Sequence, residues 1–246
     1  MTEVTRLSKV MANRGLCSRR EADKMIEAGL VSVDGTIVSL LGSKVALDAN
    51  IQIAAVAEEA RDAAVTIMIN KPIGYVSGQA EDDYVPAIRL FNADNQYHDG
   101  SIYTRFNHKH TRKLAPAGRL DIDSQGLLVM TQDGRIAKAL VGENSQIEKE
   151  YLVRIDGSVG ENKIRKLSHG LELDGKKLKP AKIRVQNEDQ LNFILTEGKK
   201  RQIRRMCELV DLKVVGIKRV RIGKLRLGKL PEGQWQYVDR SYFIDS

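Results

Sequence analysis

Residues 117–131 have the sequence Ala-Gly-Arg-Leu-Asp-Ile-Asp-Ser-Gln-Gly-Leu-Leu-Val-Met-Thr, a polar loop that runs directly into an apolar segment. The short apolar run from Leu127 to Thr131 predicts a buried strand. The dipeptide Asp133-Gly134 after it predicts a turn that closes the strand. Asp121 then lies in the loop leading into a rigid strand, an arrangement that fixes a reactive carboxylate while leaving it accessible.

The same loop residues also have a purely structural interpretation. Asp121, Asp123 and Ser124 are residue types whose side chains bond nearby backbone N–H groups in Asx and Ser/Thr turns. The pattern alone therefore leaves two interpretations open, a catalytic carboxylate and a loop that only folds.

The charge of the chain is concentrated near its C-terminal end. The 246 residues carry a formal net charge of +8, and their number allows a small domain followed by a medium-sized one. Twelve Lys or Arg residues against three acidic residues lie between Glu197 and Lys229, an excess that exceeds the charge of the whole chain. Such clustering favours a nucleic-acid partner, because clustered cations release counterions from a phosphate backbone. A membrane surface is the weaker interpretation, since no apolar run reaches spanning length.

Cysteine and histidine give little support for a disulfide or a metal site. Cys17 and Cys207 are the only cysteines and lack any paired spacing, so a reducing, cytoplasmic environment fits best. His108 and His110 lie in a polar segment, residues 92–113, without a thiol or carboxylate at a convincing spacing. We therefore predict a mobile basic loop there, no metal, and no export signal at the N-terminus.

Residues 6–38 predict a compact helix-helix-hairpin unit. Gly15 ends the first helix, Ser18 and Glu21 form a capping-box pattern for the second, and Asp34-Gly35 suits a two-residue hairpin turn. The outward positions of the two helices carry basic side chains that suit phosphate contacts, although they also fit an ordinary surface with ion pairs. These residues are Arg6, Lys9, Arg14, Arg19, Arg20 and Lys24.

The remainder of the chain predicts an α+β domain. The alanine-rich residues 54–64 show no β pattern and are expected to be the linker to the strand at Val65–Ile69. Strands are predicted at residues 151–155, 182–185 and 191–195, with a helix at 161–169. Because helices and strands interleave without a βαβ repeat, we expect a mixed sheet.

A helical wheel over residues 198–210 separates two neighbouring arginines. Ile203 and Met206 belong to its apolar face, Arg204 falls at the edge of that face, and Arg205 points away from it. A cation at the rim of a core needs a carboxylate partner, which predicts an ion pair from Arg204 to Asp121. The residue pattern alone favours the alternative in which Arg204 reaches solvent along its stem.

Several of these motifs resemble those of a known family. Gly118-Arg119-Leu120-Asp121 with Asp123-Ser124-Gln125-Gly126-Leu127 resembles the signature of pseudouridine synthases that act on bacterial ribosomal RNA, most closely the large-subunit enzymes of the B, E and F type. Residues 70–77, 148–153 and 197–206 resemble further motifs of the same family, in family order. Arg6-Leu7-Ser8-Lys9 and residues 17–22 are similar to the α-L RNA-binding motif.

The resemblance implies a function for individual residues. Asp121 would be the essential carboxylate, either as a nucleophile or as a base that yields a glycal intermediate, and Arg204 would pair with it. Tyr151 would pack against the target uracil, although such a residue is more often a core aromatic. Arg119 would enter the stack vacated by a flipped base, and Asp123 and Ser124 would brace the loop, with Asp123 as the alternative carboxylate.

The sequence as a whole therefore predicts an α+β protein with two domains. Residues 1–60 would form an α-L type RNA-binding domain, and residues 61–246 a catalytic domain with a mixed, mainly antiparallel sheet flanked by helices. We expect a monomer that needs no cofactor and that isomerises a specific uridine to pseudouridine in structured RNA, namely large-subunit (23S) ribosomal RNA, or else transfer RNA. The alternatives are an RNA-binding or ribosome-assembly protein without catalysis and, with less support, a nucleoside hydrolase. Further RNA contacts are expected from Lys199, Lys200, Arg201 and Arg205.

Overall fold

The computed structural model describes residues 3–78, 83–98, 100, 104–142 and 145–244. Its α-helices are α1 (Leu7–Asn13), α2 (Arg19–Glu27), α3 (Ala55–Asp62), α4 (Gly134–Val141), α5 (Glu161–Ser168) and α6 (Gln202–Glu208). Short 3-10 helices cover Ala87–Leu90, His108–Thr111 and Arg240–Tyr242. Among these described residues, no helix has the length and apolar character needed to cross a membrane.

The strands are numbered in chain order. The first nine are β1 (Val4–Arg6), β2 (Val31–Val33), β3 (Thr36–Ile37), β4 (Lys44–Ala46), β5 (Ile51–Ile53), β6 (Thr66–Lys71), β7 (Tyr75–Val76), β8 (Val85–Pro86) and β9 (Ala115–Pro116). The others are β10 (Gln125–Thr131), β11 (Lys149–Asp156), β12 (Glu172–Leu173), β13 (Lys176–Lys177), β14 (Lys182–Asn187), β15 (Gln190–Leu195), β16 (Lys213–Ile222), β17 (Leu225–Arg226) and β18 (Trp235–Tyr237).

The N-terminal unit, residues 3–64, folds as its local signals predict. Ser18 and Glu21 form the capping box at the start of α2, with the Ser18 hydroxyl accepting from the Glu21 N–H and the Glu21 carboxylate accepting from the Ser18 N–H. Asp34 and Gly35 both have positive φ, as a tight hairpin turn between β2 and β3 requires. The apolar sides of α1 and α2 form a small core of their own.

The expected linker is a helix. Residues 55–62 form α3, whose Ala57 is buried against the core of the N-terminal unit, and the Arg61 guanidinium donates to the Leu16 carbonyl at 2.7 Å. Alanine is the strongest helix former, so the composition that excluded a strand also favours this helix. A domain boundary at residue 60 stays a prediction and would fall in the last turn of α3.

A nine-stranded sheet forms the centre of the larger part of the chain. Its strand order is β14-β15-β11-β16-β10-β6-β18, with β9 and β17 paired onto β10 and β16. Strands β10 and β16 are parallel, and the other pairs are antiparallel. Apolar clusters cover both faces, with α4 packed in one cluster and α5 and α6 in the other. The predicted α+β class with a mixed, mainly antiparallel sheet is confirmed.

The prediction of a turn at Asp133-Gly134 is wrong. Asp133 is instead the N-cap of α4, where its carboxylate accepts a hydrogen bond from the Arg135 N–H at 2.8 Å. Asp followed by Gly serves as a helix start when apolar residues follow at helical spacing. Ile136 and Leu140 supply that spacing and are buried.

The segment 92–113 is partly described, since residues 99 and 101–103 lie outside the described ranges. Its end forms the 3-10 helix His108–Thr111, and His110 Nδ1 lies 2.6 Å from the Tyr237 hydroxyl. The described residues contain no group of three or more His, Cys, Asp or Glu side chains arranged to hold a metal ion.

Candidate active site

The loop that carries Asp121 is fixed by the two residues that flank β7, Gly74 and Ser77. The Ser77 hydroxyl donates to the Leu120 carbonyl at 2.7 Å and accepts from the Leu120 N–H at 2.9 Å. On the other side of Asp121, the Ile122 carbonyl accepts from the Gly74 N–H at 2.9 Å. The backbone is therefore held on both sides of the carboxylate. The role of Ser77 in this clamp was not predicted from the sequence.

The Asp121 side chain itself is half-buried and has no ion-pair partner among the residues that the structure describes. Its backbone carbonyl accepts from the Ser124 N–H at 3.1 Å, which tightens the loop. No described residue lies within ion-pair distance of its carboxylate or donates a hydrogen bond to it. A rigid backbone thus presents a free carboxylate.

Asp123 is the carboxylate that binds the arginines. Arg204 Nη2 lies 3.2 Å from Asp123 Oδ2 and donates to the Asp123 carbonyl at 3.0 Å, while Arg201 Nη2 lies 3.1 Å from the same Oδ2. The predicted pair between Arg204 and Asp121 is therefore wrong for this structure. Arg204 also donates to the Val214 carbonyl at 3.3 Å, so its guanidinium is oriented by two backbone oxygens and reaches the later of the two aspartates.

The two arginines keep Asp123 ionised. Partial burial raises the pKa of its carboxyl, but the hydrogen bond from Arg201 and the charge of Arg204 outweigh this, so the pKa lies below the usual value. A carboxylate shared by two guanidinium groups is well suited to brace a loop. It is poorly suited to attack a substrate, since its charge is already bound.

Helix α6 places its arginines as the helical wheel predicts. Ile203 and Met206 are buried, Arg204 is 9 % exposed, and Arg205 points outward to Asp174 with a contact of 2.6 Å. The helix is shorter than residues 198–210, because Arg201 adopts a left-handed conformation immediately before it. Arg201 and Arg204 also line an open cleft of about 530 Å³.

Tyr151 lies on β11 beside a cation. The tyrosine is 9 % exposed, and the Arg219 guanidinium carbon is 6.0 Å from the centre of its ring. In the sheet, Tyr151 is opposite Arg219 of β16 on one side and opposite Phe193 of β15 on the other. A tyrosine in this position has a fixed ring plane, as stacking on a base requires.

Sequence reasoning missed two buried cations at this site, Lys71 and Arg219, which are 0 % and 2 % exposed. Lys71 Nζ donates to the carbonyls of Pro72 and Tyr75, both at 2.8 Å. Burial lowers the pKa of Lys71 from 10.5 to about 8, although nearby carboxylates partly oppose the shift. For Lys71, the signal available in the sequence was a basic residue at the end of an apolar strand and within the motif of residues 70–77.

The candidate RNA-binding residues lie mostly at the surface. Arg119 is exposed, as are the basic residues of the N-terminal helices, Arg6, Lys9, Arg19, Arg20 and Lys24. Near α6, Lys200 and Arg201 are exposed and Lys199 is half-buried. Arg205 forms an ion pair with Asp174. Their accessibility suits phosphate contacts, and RNA binding by each residue stays a prediction.

Comparisons with known proteins agree with this architecture. Residues 65–209 match the family model of RNA pseudouridylate synthases, and residues 5–51 match the S4 domain. The chain is 32% identical over 98% of its length to the dual-specificity RNA pseudouridine synthase RluF of Salmonella typhi, covering 78% of that protein. It is also 32% identical to ribosomal large subunit pseudouridine synthase B of Bacillus subtilis (strain 168), covering 85% of this chain and 82% of the relative.

A solved structure shows the same fold along nearly the whole chain. A crystal structure of a pseudouridylate synthase superposes with a TM-score of 0.67 at 28% sequence identity, covering 97% of this chain and 98% of the other. The match therefore includes both the N-terminal unit and the large sheet.

Proposed function

This chain belongs to the RNA pseudouridylate synthase family, and from that membership we propose that it converts a specific uridine to pseudouridine in large-subunit ribosomal RNA, with Asp121 as the reacting carboxylate. The relatives named above include a ribosomal large subunit synthase and a dual-specificity RNA synthase. Large-subunit RNA is thus the first substrate to test, and transfer RNA the second.

Asp121 is proposed as the reacting carboxylate because the two aspartates of the loop differ in their ion-pair partners. Asp123 is bound by Arg201 and Arg204, whereas Asp121 has no ion-pair partner among the described residues. Asp123 Oδ1 has no hydrogen-bond partner among the described residues, but both arginines bind its Oδ2. A carboxylate whose charge is neutralised by two guanidinium groups is a weaker nucleophile and a weaker base than one without an ion-pair partner. Asp121 therefore fits the reacting role, and Asp123 fits the role of the brace.

The reaction needs no external group. The bond between ribose C1′ and uracil N1 breaks with its electron pair remaining on the base, the base rotates, and a new bond forms from C5 to C1′. Asp121 supports the first step as a nucleophile at C1′ or as the base that gives a glycal. Tyr151 would pack against the uracil and assist loss of the C5 proton at the end.

A uridine within structured RNA must leave the base stack to reach this site. Flipping costs a few kcal/mol, which protein contacts in the vacated space offset. Arg119 lies two residues before Asp121 and is exposed, so its side chain is available for that space. The S4-type unit and the basic residues beside α6 would hold the surrounding phosphates.

This function implies further properties that belong to the same proposal. An enzyme that modifies ribosomal RNA acts where that RNA is made, so we place it in the cytoplasm and expect it to act as a monomer without a cofactor. The competing function is an RNA-binding protein without catalysis. That function would leave the clamp around Asp121 without a purpose beyond folding.

The decisive experiment compares Asp121→Asn with Asp123→Asn. Pseudouridine formation in transcribed large-subunit RNA is measured by mass spectrometry, and RNA affinity by filter binding. Asp121→Asn should lower the single-turnover rate by about 10³-fold or more with RNA affinity unchanged, while Asp123→Asn should keep measurable activity. The reverse order would make Asp123 the reacting group, and an unchanged rate in both variants would mean that neither aspartate reacts. No pseudouridine formation by the wild type, together with RNA binding, would favour a binding protein.

A further inference from the structure

Four residues lie side by side across four neighbouring strands at the active-site end of the sheet. Gly126 of β10 is opposite Lys71 of β6 on one side and Arg219 of β16 on the other. Arg219 is in turn opposite Tyr151 of β11. The two buried cations therefore flank a glycine, and one of them borders the tyrosine expected to contact the uracil.

Because Gly126 has no Cβ, the backbone of Arg219 can approach it closely, next to the loop that carries Asp121. Gly126 has a φ of 105°, and a Cβ added there would overlap the backbone of Arg219, 2.8 Å from its nitrogen. The Arg219 side chain then runs beneath the loop. Its Nε donates to the Leu127 carbonyl at 2.8 Å, and its Nη1 to the Arg119 carbonyl at 3.2 Å.

The guanidinium of Arg219 is buried without an anionic partner. It is 2 % exposed, and its hydrogen-bond partners among the described residues are carbonyl oxygens. Its Nη2 is buried and has no acceptor within the described part of the chain. Leaving a buried charged donor unsatisfied destabilises the folded state, which a fold tolerates where another molecule completes the site.

Lys71 is the weaker candidate for a contact with the uracil, because two of the three N–H groups of its Nζ already donate to the carbonyls of Pro72 and Tyr75. Arg204 is likewise bound to Asp123. Arg204 Nε also lacks an acceptor, so the free nitrogen alone does not select Arg219. Among the described residues, Arg219 is the buried cation that has such a nitrogen and also borders the Tyr151 ring.

We propose that Arg219 is a catalytic residue whose Nη2 donates a hydrogen bond to a carbonyl oxygen of the target uracil and stabilises the negative charge of the detached base. This inference rests on the proposed function. When the bond between C1′ and N1 breaks, its electron pair stays on N1 and spreads onto the two carbonyl oxygens of the ring, O2 and O4. The guanidinium keeps its proton throughout, so the charge is neutralised without proton transfer, and the anion stays available to attack through C5.

The first test uses two matched substitutions on one strand, Arg219→Lys and Arg221→Lys. Arg221 lies two residues further along β16, but Glu148 and Glu150 bind its guanidinium. Arg219→Lys should lower the single-turnover rate by about 10–100-fold with RNA affinity within threefold of wild type, because a lysine lacks the planar fork. Arg221→Lys should stay within threefold in both quantities.

The second test separates stabilisation of the anion from positioning of the loop. In RNA that carries 5-fluorouridine at the target, fluorine itself stabilises the detached base. The loss of rate caused by Arg219→Lys, measured as consumption of the target nucleoside, should then shrink by at least threefold. A displaced loop would slow both substrates equally, and that equality would overturn the proposal.

A third test requires no variant, so it decides the question even if Arg219→Lys fails to fold. Wild-type enzyme is given target nucleosides in which sulfur replaces O2 or O4. Sulfur is a weaker acceptor, although it also stabilises the detached anion at either position. The replacement at the oxygen that Arg219 contacts should therefore react severalfold more slowly than the other replacement, and equal rates with both would contradict the contact. Absence of pseudouridine formation by wild type on uridine would instead refute the proposed function.

Discussion

The backbone N–H of Gly134 donates a hydrogen bond to Glu21 Oε1 at 3.2 Å, which joins the start of α4 to the N-terminal unit. The other carboxylate oxygen of Glu21 accepts from the Ser18 N–H at 2.7 Å. One carboxylate thus serves the N-termini of two helices, where the helix dipole favours negative charge. Lys138 of α4 reinforces the contact by donating to the Ala12 carbonyl near the end of α1.

Gly134→Ala tests this connection. An added Cβ would overlap the Glu21 carboxylate and lie 2.6 Å from Ser18 Cβ, so Glu21 must release one of its two helices. We expect faster amide hydrogen exchange in the first turns of α2 and α4. The free energy of unfolding of the large sheet should change by less than about 1 kcal/mol, because alanine itself favours a helix.

Gly160→Ala is the matched control for that substitution. Gly160 is the N-cap of α5, and a Cβ there meets no atom within 4 Å. Its exchange pattern in α2 and α4 should equal that of wild type. If Gly134→Ala gave the same pattern as Gly160→Ala, the contact between Gly134 and Glu21 would not hold the N-terminal unit in solution.

Gly126→Ala should destabilise the sheet more than any surface substitution. The position combines a φ of 105° with direct contact to the Arg219 backbone, so alanine is both strained and sterically blocked. We expect a loss of about 3 kcal/mol or more in the free energy of unfolding, measured with urea. Gly216→Ala, on the strand paired with β10, has open space and should change it by less than about 1 kcal/mol.

These glycines show which parts of the fold a sequence can predict. The capping box of Ser18 and Glu21, the Asp34-Gly35 turn and the apolar face of α6 depend on residues within one or two turns of each other, and all are confirmed. The reason for a glycine at position 126 lies in the backbone of Arg219, which only the parallel pairing of β10 and β16 brings close. Local pattern contains no information about that pairing.

The partner of Arg204 was mispredicted for the same reason. The helical wheel correctly turns Arg204 toward the core, but Asp121 and Asp123 are only two residues apart in one loop. The choice depends on the Val214 carbonyl and the Asp123 carbonyl, which orient the guanidinium and come from distant parts of the chain. Both the family resemblance and the wheel selected the arginine, and neither could select its partner.

The two buried cysteines predict a loss of stability at alkaline pH. Burial, and next the nearby Glu21 and Glu208, raise the pKa values of Cys17 and Cys207 from 9.0 to about 12. Between these values the unfolded chain releases protons that the folded chain keeps, so the free energy of unfolding falls as pH rises. Each cysteine should cost roughly 2 kcal/mol by pH 10.5.

Urea unfolding of wild type and the double variant Cys17→Ala, Cys207→Ala at pH 8 and about 10.5 measures this effect. The difference between the two proteins should move by about 3–4 kcal/mol in favour of the variant. Lys71 has the opposite effect: its pKa is about 8 in the folded protein and 10.5 in the unfolded chain, so it makes the free energy of unfolding rise with pH between these values. Both proteins contain Lys71, so its contribution cancels in the difference. A constant difference across this range would mean that the thiols are not buried as described.

The basic side chains of α2 should set part of the salt dependence of RNA binding. Arg19, Arg20 and Lys24 are exposed and have no ion-pair partner among the described residues. Each phosphate contact contributes about 0.7–0.9 to the slope of log K against log salt concentration, so replacing all three with glutamine should reduce the slope by about 2. The helix itself should persist, since glutamine is a good helix former and the Ser18 cap is unchanged.

Affinity of the triple variant for target RNA at several salt concentrations tests this, with Arg154→Gln as the control. Arg154 is exposed on β11, and its Nε lies 3.1 Å from Asp189 Oδ2. Because this arginine already has an anionic partner, replacing it should leave the slope of log K against log salt concentration unchanged. Pseudouridine formation by the triple variant should recover at saturating RNA, because binding is weakened while Asp121 and its clamp are intact. A triple variant with the wild-type slope would remove α2 from the RNA-binding surface and leave the basic residues beside α6 as the principal phosphate contacts.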